Sequence, residues 1–327
     1  MNLEIENARR FNEEPLIQSV SSGDDIVLVH LANGTGVKAL SLSALKAYIA
    51  GALEDLDTED KTSLVAAINE LLADIGEDRD NIGALEDLTD VFTFHGAGLH
   101  NGIYRGKYLG TSVTAAQYAE ISAGTFKDLY IGDYWTIAGV NWRIAAFDYW
   151  LHCGDTECTT HHVVIVPDTN LDSQKMNDSN VTTGAYVGSK MYTEYMATAK
   201  NKVKSAFGAA HILSHKSYLN NAITNGYESA GAWYDSEIEL MTEQNVYGCK
   251  VFGNVTCGTN VPASYTIDKT QFPLFALDSS RICNRAAWWL RDVASAQNFC
   301  IVFSTGACVS TDASNSYGVR PAFGIKA

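Results

Sequence analysis

Position 93 divides this chain. Before it the only aromatic residues are Phe11, Tyr48 and Phe92, and cysteine is absent; beyond it lie all six Trp and all seven Cys. Aromatic side chains bury more area than any others and dominate the cores they enter. The aromatic core therefore belongs to residues 93–327. Charge divides at the same place: residues 1–92 carry 19 acidic and 6 basic side chains, net −13, whereas residues 93–327 carry 19 and 17, net −2. A chain whose sum is −15 repels a phosphate backbone, so nucleic acid is not an expected partner. No apolar run approaches the ~20 residues that span a bilayer, so membrane insertion is not expected. Met1 to Phe11 lacks the basic start and apolar stretch of a signal peptide, and no export by a readable N-terminal route is expected. Seven cysteines, an odd number, are too few for a disulfide-built scaffold.

Three segments follow. Residues 1–53 read as an attachment segment. In it Asp25 to Leu31 and Val37 to Leu40 form a β-hairpin around Asn33-Gly34-Thr35-Gly36, and a helix capped by Ser41 or Ser43 carries Leu45, Ile49, Ala52 and Leu56. Residues 54–92 read as an acidic heptad stalk. Leu64, Ile68, Leu71, Ile75, Asp78, Ile82, Leu85, Thr89 and Phe92 alternate spacings of four and three, with Ile at a positions and Leu at d positions. Asp78, Thr89, Gly76 and Gly83 weaken that seam. Net −11 over Glu54 to Asp90 favours an oligomeric stalk over a helix packed on the globular part; Ile at a with Leu at d favours two strands, and three remain open.

Residues 93–327 form the third segment. Thr114 caps a short helix through Ile121; Tyr134 to Ile137, Val140 to Ala146 and His162 to Val166 read as strands. Ser189 opens the longest helical pattern, through Tyr192, Tyr195, Ala199, Val203, Ala206 and Phe207. A second helix is expected over Ser236 to Asn245, with Ser236 and Glu239 as its capping box. Separated helices among irregular strands indicate an α+β class.

Catalytic and metal-binding patterns are thin. Phosphate loops, nucleophile elbows, paired-His zinc helices and calcium-hand loops are all absent from the sequence. Cys153, Cys158, His161 and His162 crowd four ligands into ten residues at a spacing no common zinc finger uses, so neither metal nor other cofactor is expected. Cys153 with Cys158 and Cys249 with Cys257 stand open between short-loop disulfides and free thiols. At least one of His161 and His162 is expected in the core, and His211 with His215 is not expected to share a ligand. Asp235, Glu237 and Glu239 read as a solvated helix start.

The last 45 residues are unusual. Trp288, Trp289, Arg291, Gly318, Arg320 and Pro321 are bulky or conformationally fixed framework, and either arginine is placed to brace carbonyls. Between them Val293 to Tyr317 is almost all small or polar, without Lys or Glu, and no ionisable groups converge as they do in active sites. Adaptable small residues with isolated aromatics make a recognition surface comparable in composition to a paratope.

The tract NRAAWWLRDV…NFCIVFSTGACVSTDASNSYGVRPAF resembles the variable C-terminal segment of target proteins of diversity-generating retroelements, whose carrier is a C-type-lectin-like fold. HHVVIVPD, GSKMYTEYMATAKNKVKSAFGAAHIL, GAWYDSEIELMTEQNVYG and TIDKTQFPLFAL resemble the body of the version carried by gut bacteriophages and prophages. TSLVAAINELLADI is similar to the trimerising stems of phage tail fibres. The resemblance implies a C-type-lectin-like domain over residues 93–327 with a variable region at about 284–320. It also implies a homotrimer, other phage tail proteins as partners of the N-terminus, and a bacterial surface receptor, protein or glycan. The expected place is the virion tail, extracellular after release. The implied variable positions are Asn284, Ala286, Ala287, Asn298, Cys300, Ile301, Phe303, Ser304, Thr305, Ala307, Cys308, Ser310, Thr311 and Tyr317; Gln297 departs from the adenine-substitution pattern of that family. Cys300 and Cys308 would then be random products rather than a disulfide. The sugar-binding triplets of calcium-dependent lectins are absent, so no calcium-dependent sugar site is expected. No catalytic residue is expected; the alternatives are a bacterial surface adhesin carrying the same domain, or a formylglycine-generating-type enzyme on the same fold.

Overall fold

The computed structural model describes residues 26–30, 37–41, 58–60, 62–92, 96–253 and 270–327. The chain divides into two units, residues 1–92 and 93–327. In the first, β1 (Ile26–His30) and β2 (Val37–Ser41) pair antiparallel, Ile26 opposite Ser41 and His30 opposite Val37. The hairpin read from the sequence is thus present; its turn, and the helix expected through Leu45 to Leu56, lie outside the described residues. Helix α1 (Leu64–Phe92) runs 29 residues without a break, about 43 Å at 1.5 Å per residue. Ser63 caps it, its Oγ accepting from Ala66 N at 3.1 Å. The helix continues through Gly76 and Gly83, where an added Cβ would meet nothing within 4 Å. Ile68, Leu71, Ile75, Ile82 and Leu85 are 43–64% exposed along its seam.

The second unit mixes short helices with two five-stranded sheets. The first sheet, in spatial order, is β3 (Tyr134–Ile137), β4 (Val140–Phe147), β5 (Val163–Pro167), β14 (Pro321–Ile325) and β9 (Ile238–Leu240), antiparallel throughout. Every residue of β5 is buried, as a continuous Val-Val-Ile-Val run requires. The second sheet is β12 (Cys308–Asp312), β11 (Asn298–Val302), β10 (Trp288–Val293), β13 (Ser316–Val319) and β6 (Asp172–Lys175), with one parallel contact at Trp288 and Gly318. A separate long hairpin joins β7 (His215–Thr224) to β8 (Tyr227–Ser236). The core contains Trp135, Trp142, Trp288, Trp289, Phe126, Phe147, Phe275, Phe299 and Phe323, all fully buried. Among the described residues no helix is long and apolar enough to cross a membrane.

Local signals account for several elements. Thr114 and Gln117 form a reciprocal capping box on α3 (Ala115–Ala123), which follows the one-turn α2 (Ala97–His100). The pattern from Ser189 starts as a turn of π-helix, Met191–Tyr195, with Ser189 Oγ accepting from Tyr192 N, and becomes α4 only at Ala197–Phe207. The helix expected over Ser236 to Asn245 does not form. Ser236 ends β8, Ile238 and Leu240 pair with Phe323 and Pro321 of β14, and the capping box is Thr242 with Asn245, opening α5 (Glu243–Tyr247). A strand position beside β14 overrides the local helical spacing. Glu239 is consequently not a solvated helix residue: it is buried on β9, where Tyr186 Oη donates to it at 2.8 Å. Asp235 and Glu237 are surface residues paired with Lys216 and Lys204.

Candidate ligand-contact surface

The tract from Asn284 to Arg320 supplies β10 to β13 and the turns between them. Ser295 Oγ accepts from Gln297 N and Asn298 N and closes the turn from β10 to β11. The β11–β12 turn closes through Phe303 N to Ala307 O and Gly306 N to Phe303 O, both 2.8 Å. Gly306 has φ +88°, a conformation that favours glycine. Its carbonyl accepts from Tyr247 Oη at 2.9 Å, and Ser304 O accepts from the Cys283 thiol at 3.0 Å. Two loops, 283–287 and 303–307, are thereby tied together at one end of the sheet.

That end collects half of the variable positions named from the sequence. Ala286, Phe303, Thr305 and Ala307 are exposed; Asn284, Ala287 and Ser304 are half-buried. Asn284 Nδ2 donates to Asn170 Oδ1 at 3.0 Å. Cys308, Ser310 and Thr311 lie half-buried on β12, the outer strand of the sheet, and Asn298 is half-buried opposite Asp312. Tyr317 is half-buried on β13, its ring edge-to-face with Trp289 at 5.3 Å. Two positions require correction as contact residues: Cys300 is 0% and Ile301 1% exposed. They sit on β11, which is flanked by β10 and β12 and packed on both faces. The expected framework is interior. Trp288, Trp289, Gly318, Arg320 and Pro321 are buried, and Arg291 is half-buried. Arg320 donates through Nε to Pro167 O at 2.8 Å and through Nη1 to Arg281 O at 3.1 Å.

Behind β11 and β12 lies a buried polar cluster that sequence reading missed. Glu243, at the start of α5, accepts from the N–H groups of Val251, Phe252 and Gly253 at 2.9–3.0 Å and from the Cys308 thiol at 3.0 Å. Its own N–H donates to Asp292 Oδ2 at 2.7 Å. Lys250 Nζ reaches Asp292 at 3.2 Å and Glu228 at 3.3 Å, both carboxylates being buried. Burial pushes the Asp292 carboxyl up to about 6, against the pull of Lys250 and with the help of Glu228 and Glu243. Burial opposes ionisation of Glu243 too, yet the Cys308 thiol and the three backbone donors hold it below the usual carboxylate value. Burial, reinforced by the neighbouring carboxylates, pushes the Cys300 and Cys308 thiols well above the ordinary value. Thiols in such a field stay protonated and make poor nucleophiles. Nothing local distinguishes Glu243 from a solvated first-turn glutamate in the sequence; the loop it caps is what buries it.

The remaining candidates separate. His162 is in the core, its Nε2 accepting from Trp150 N at 3.0 Å, and burial holds its pKa down. His211 bonds Lys326 O at 3.0 Å, whereas His215 is buried and stacked on Trp150 at 4.0 Å. Cys153 and Cys158 are unlinked, their thiols directed to Leu151 O and Thr160 O; Cys257 lies outside the described residues. Among the described residues no group of His, Cys, Asp and Glu is arranged to hold a metal ion. A cavity of about 20 Å³ beside Trp150, His215, Glu239 and Arg291 has room for one or two waters.

Residues 213–327 match the family model of a domain of unknown function (DUF6273), a span that runs from the approach to β7 through the whole tract to the C-terminus. No curated protein and no solved structure matches the chain.

Proposed function

We propose that this chain is a receptor-binding protein of the bacteriophage tail-fibre type. In this reading residues 93–327 are a C-type-lectin-like domain, and a bacterial surface molecule is bound at the end and outer strand of the second sheet without any bond being broken. One observation carries the reading: within Asn284 to Arg320 the rigid residues are interior, while small residues such as Ala286, Thr305, Ala307 and Ser310 occupy the accessible turns and edge. A surface of that kind tolerates exchange of its side chains without loss of the core beneath, as retroelement diversification requires. The exposed seam of α1 supports self-association as a coiled coil, and three copies presented together would turn a weak site into a strong one. A formylglycine-generating type of chemistry is disfavoured by the two thiols, which burial, reinforced by the surrounding carboxylates, keeps protonated.

The test is capture of intact gut bacteria by the full chain and by a variant with Phe303, Thr305 and Ala307 each changed to Asp. Cells retained by the first and released by the second support the reading; equal retention sinks it. Diversification has its own test in DNA: a near-copy of codons 284–320 differing at adenines, beside a reverse transcriptase gene.

A further inference from the structure

The two five-stranded sheets have four outer edges; two of them are occupied by neighbouring groups, and a third carries a charge at each end. Beside β3 the segment through Lys107, Leu109 and Gly110 exchanges backbone bonds with Tyr134 and Thr136 at 2.8–3.0 Å. β9 is three residues long, and its Leu240 N–H is taken by Tyr186 Oη at 3.3 Å. β6 carries Asp172 and Lys175, charges of the sort that guard natural edges. The fourth edge, β12, is different. Its residues are Cys308, Val309, Ser310, Thr311 and Asp312, without lysine, proline or a bulge, and its register with β11 is unbroken over five pairs.

The phase of that ladder is fixed at both ends. Phe303 N–H bonds Ala307 O, and Ala313 N–H bonds Gln297 O at 2.9 Å. Antiparallel pairs alternate between bonded and non-bonded positions, so Val309 and Thr311 exchange bonds with Ile301 and Phe299. The N–H and C=O of Cys308 and Ser310, and the N–H of Asp312, therefore point away from β11. None of these five groups has a hydrogen-bond partner among the described residues. The side chains alternate likewise: Cys308 is anchored inward on Glu243, while Val309 and Thr311 occupy the opposite face.

We propose that β12 binds its target by strand addition, so that the ligand class is a polypeptide presenting an extended segment and not a glycan. This deepens the receptor-binding reading and rests on it. Donors and acceptors repeating every second residue are matched by another extended backbone, whereas a sugar offers no such repeat. The main-chain bonds of an edge are the same whatever side chains β12 carries. Affinity thus has a component that survives exchange of Cys308, Ser310 or Thr311, and those side chains set which segment is accepted.

The probe is a library of random twelve-residue linear peptides, selected on the immobilised full chain. Enriched peptides are then measured against Ser310→Pro and Ser310→Ala. Proline removes one outward N–H while leaving the bonds of Val309 and Thr311 to β11 in place, a position edge strands tolerate. The expected result is a loss of tenfold or more for Ser310→Pro and less than threefold for Ser310→Ala, with unchanged near-ultraviolet circular dichroism. Hydrogen exchange gives a readout free of mutation: the Ser310 and Asp312 amides exchange fast in the free chain and slow when the peptide is bound. Equal binding by both variants, no enriched peptide, or no change in exchange overturns the proposal. A fall in oligomeric mass on Ser310→Pro also overturns it, because the edge then belongs to a second copy of the chain. Capture of cells that persists in Ser310→Pro defeats strand addition alone; failure to capture cells at all defeats the receptor-binding reading.

Discussion

A carbon atom added at Gly318 would lie 1.9 Å from Asn170 Nδ2 and 2.1 Å from its Cγ, and Asn170 is itself engaged with Ala287 O and Asn284. Gly318→Ala is expected to cost about 1–3 kcal/mol, the usual range for forcing atoms into a filled site, read as a lower urea midpoint. Asn170→Ala in the same chain should recover part of the loss. His215 supplies a second residue-scale prediction. Burial, with His162 and Arg291 nearby, lowers its pKa to about 3 from the ordinary 6.5. The folded state therefore holds the neutral ring where the unfolded state takes up a proton. The resulting stability is complete above pH 6.5 and drains away as pH falls toward 3. Urea midpoints between pH 7 and pH 4 should fall more steeply for the native chain than for His215→Gln; parallel profiles would refute the assignment. Gly318 and Arg320 stood out in the sequence because few residues satisfy such positions, whereas the burial of Glu243, Asp292 and Lys250 depends on a loop that folds over them and leaves no mark on their neighbours.

Elements were readable where their bonding is local. The cap Thr114, the strands Tyr134 to Ile137 and Val140 to Ala146, and the apolar run of β5 all carry their own signals, and each appears where the sequence puts it to within a residue. Ser236 to Asn245 was misread for the opposite reason. Its spacing fits a helix, but Ile238 and Leu240 find partners more than 80 residues away on β14, and no local pattern announces them. Cys300 and Ile301 failed as contact residues similarly: their small or apolar character suits a variable surface, and only the sheet order places β11 inside. The proposed stem gives the prediction at this scale. Ile75→Asp adds a charge to the seam of α1 and should yield monomers in sedimentation, whereas Asp78→Leu removes one and should raise the melting temperature of the assembly. An unchanged mass for Ile75→Asp would remove self-association through this helix.

Across the whole molecule the charges divide, −13 on residues 1–92 and −2 on residues 93–327. Stems that carry net −11 each repel one another when brought side by side, and salt screens that repulsion. Raising sodium chloride from 20 to 500 mM should therefore tighten self-association of the chain, while ligand capture by the nearly neutral unit changes little; a strong salt dependence of capture would point to a charged contact not on β12 or its turns. The chain's route through the second unit has a further consequence. Strand β13 closes the second sheet, and one residue later, past Arg320, the same chain enters the interior of the first sheet as β14, between β5 and β9. The polypeptide must therefore be translated beyond codon 320, in frame, before the first sheet is complete. A copy carrying a premature stop or a shifted frame would lack the inner strand β14; under the proposed diversification, such a variant would be lost at folding instead of being carried as an inert passenger. The fold acts as its own proofreader.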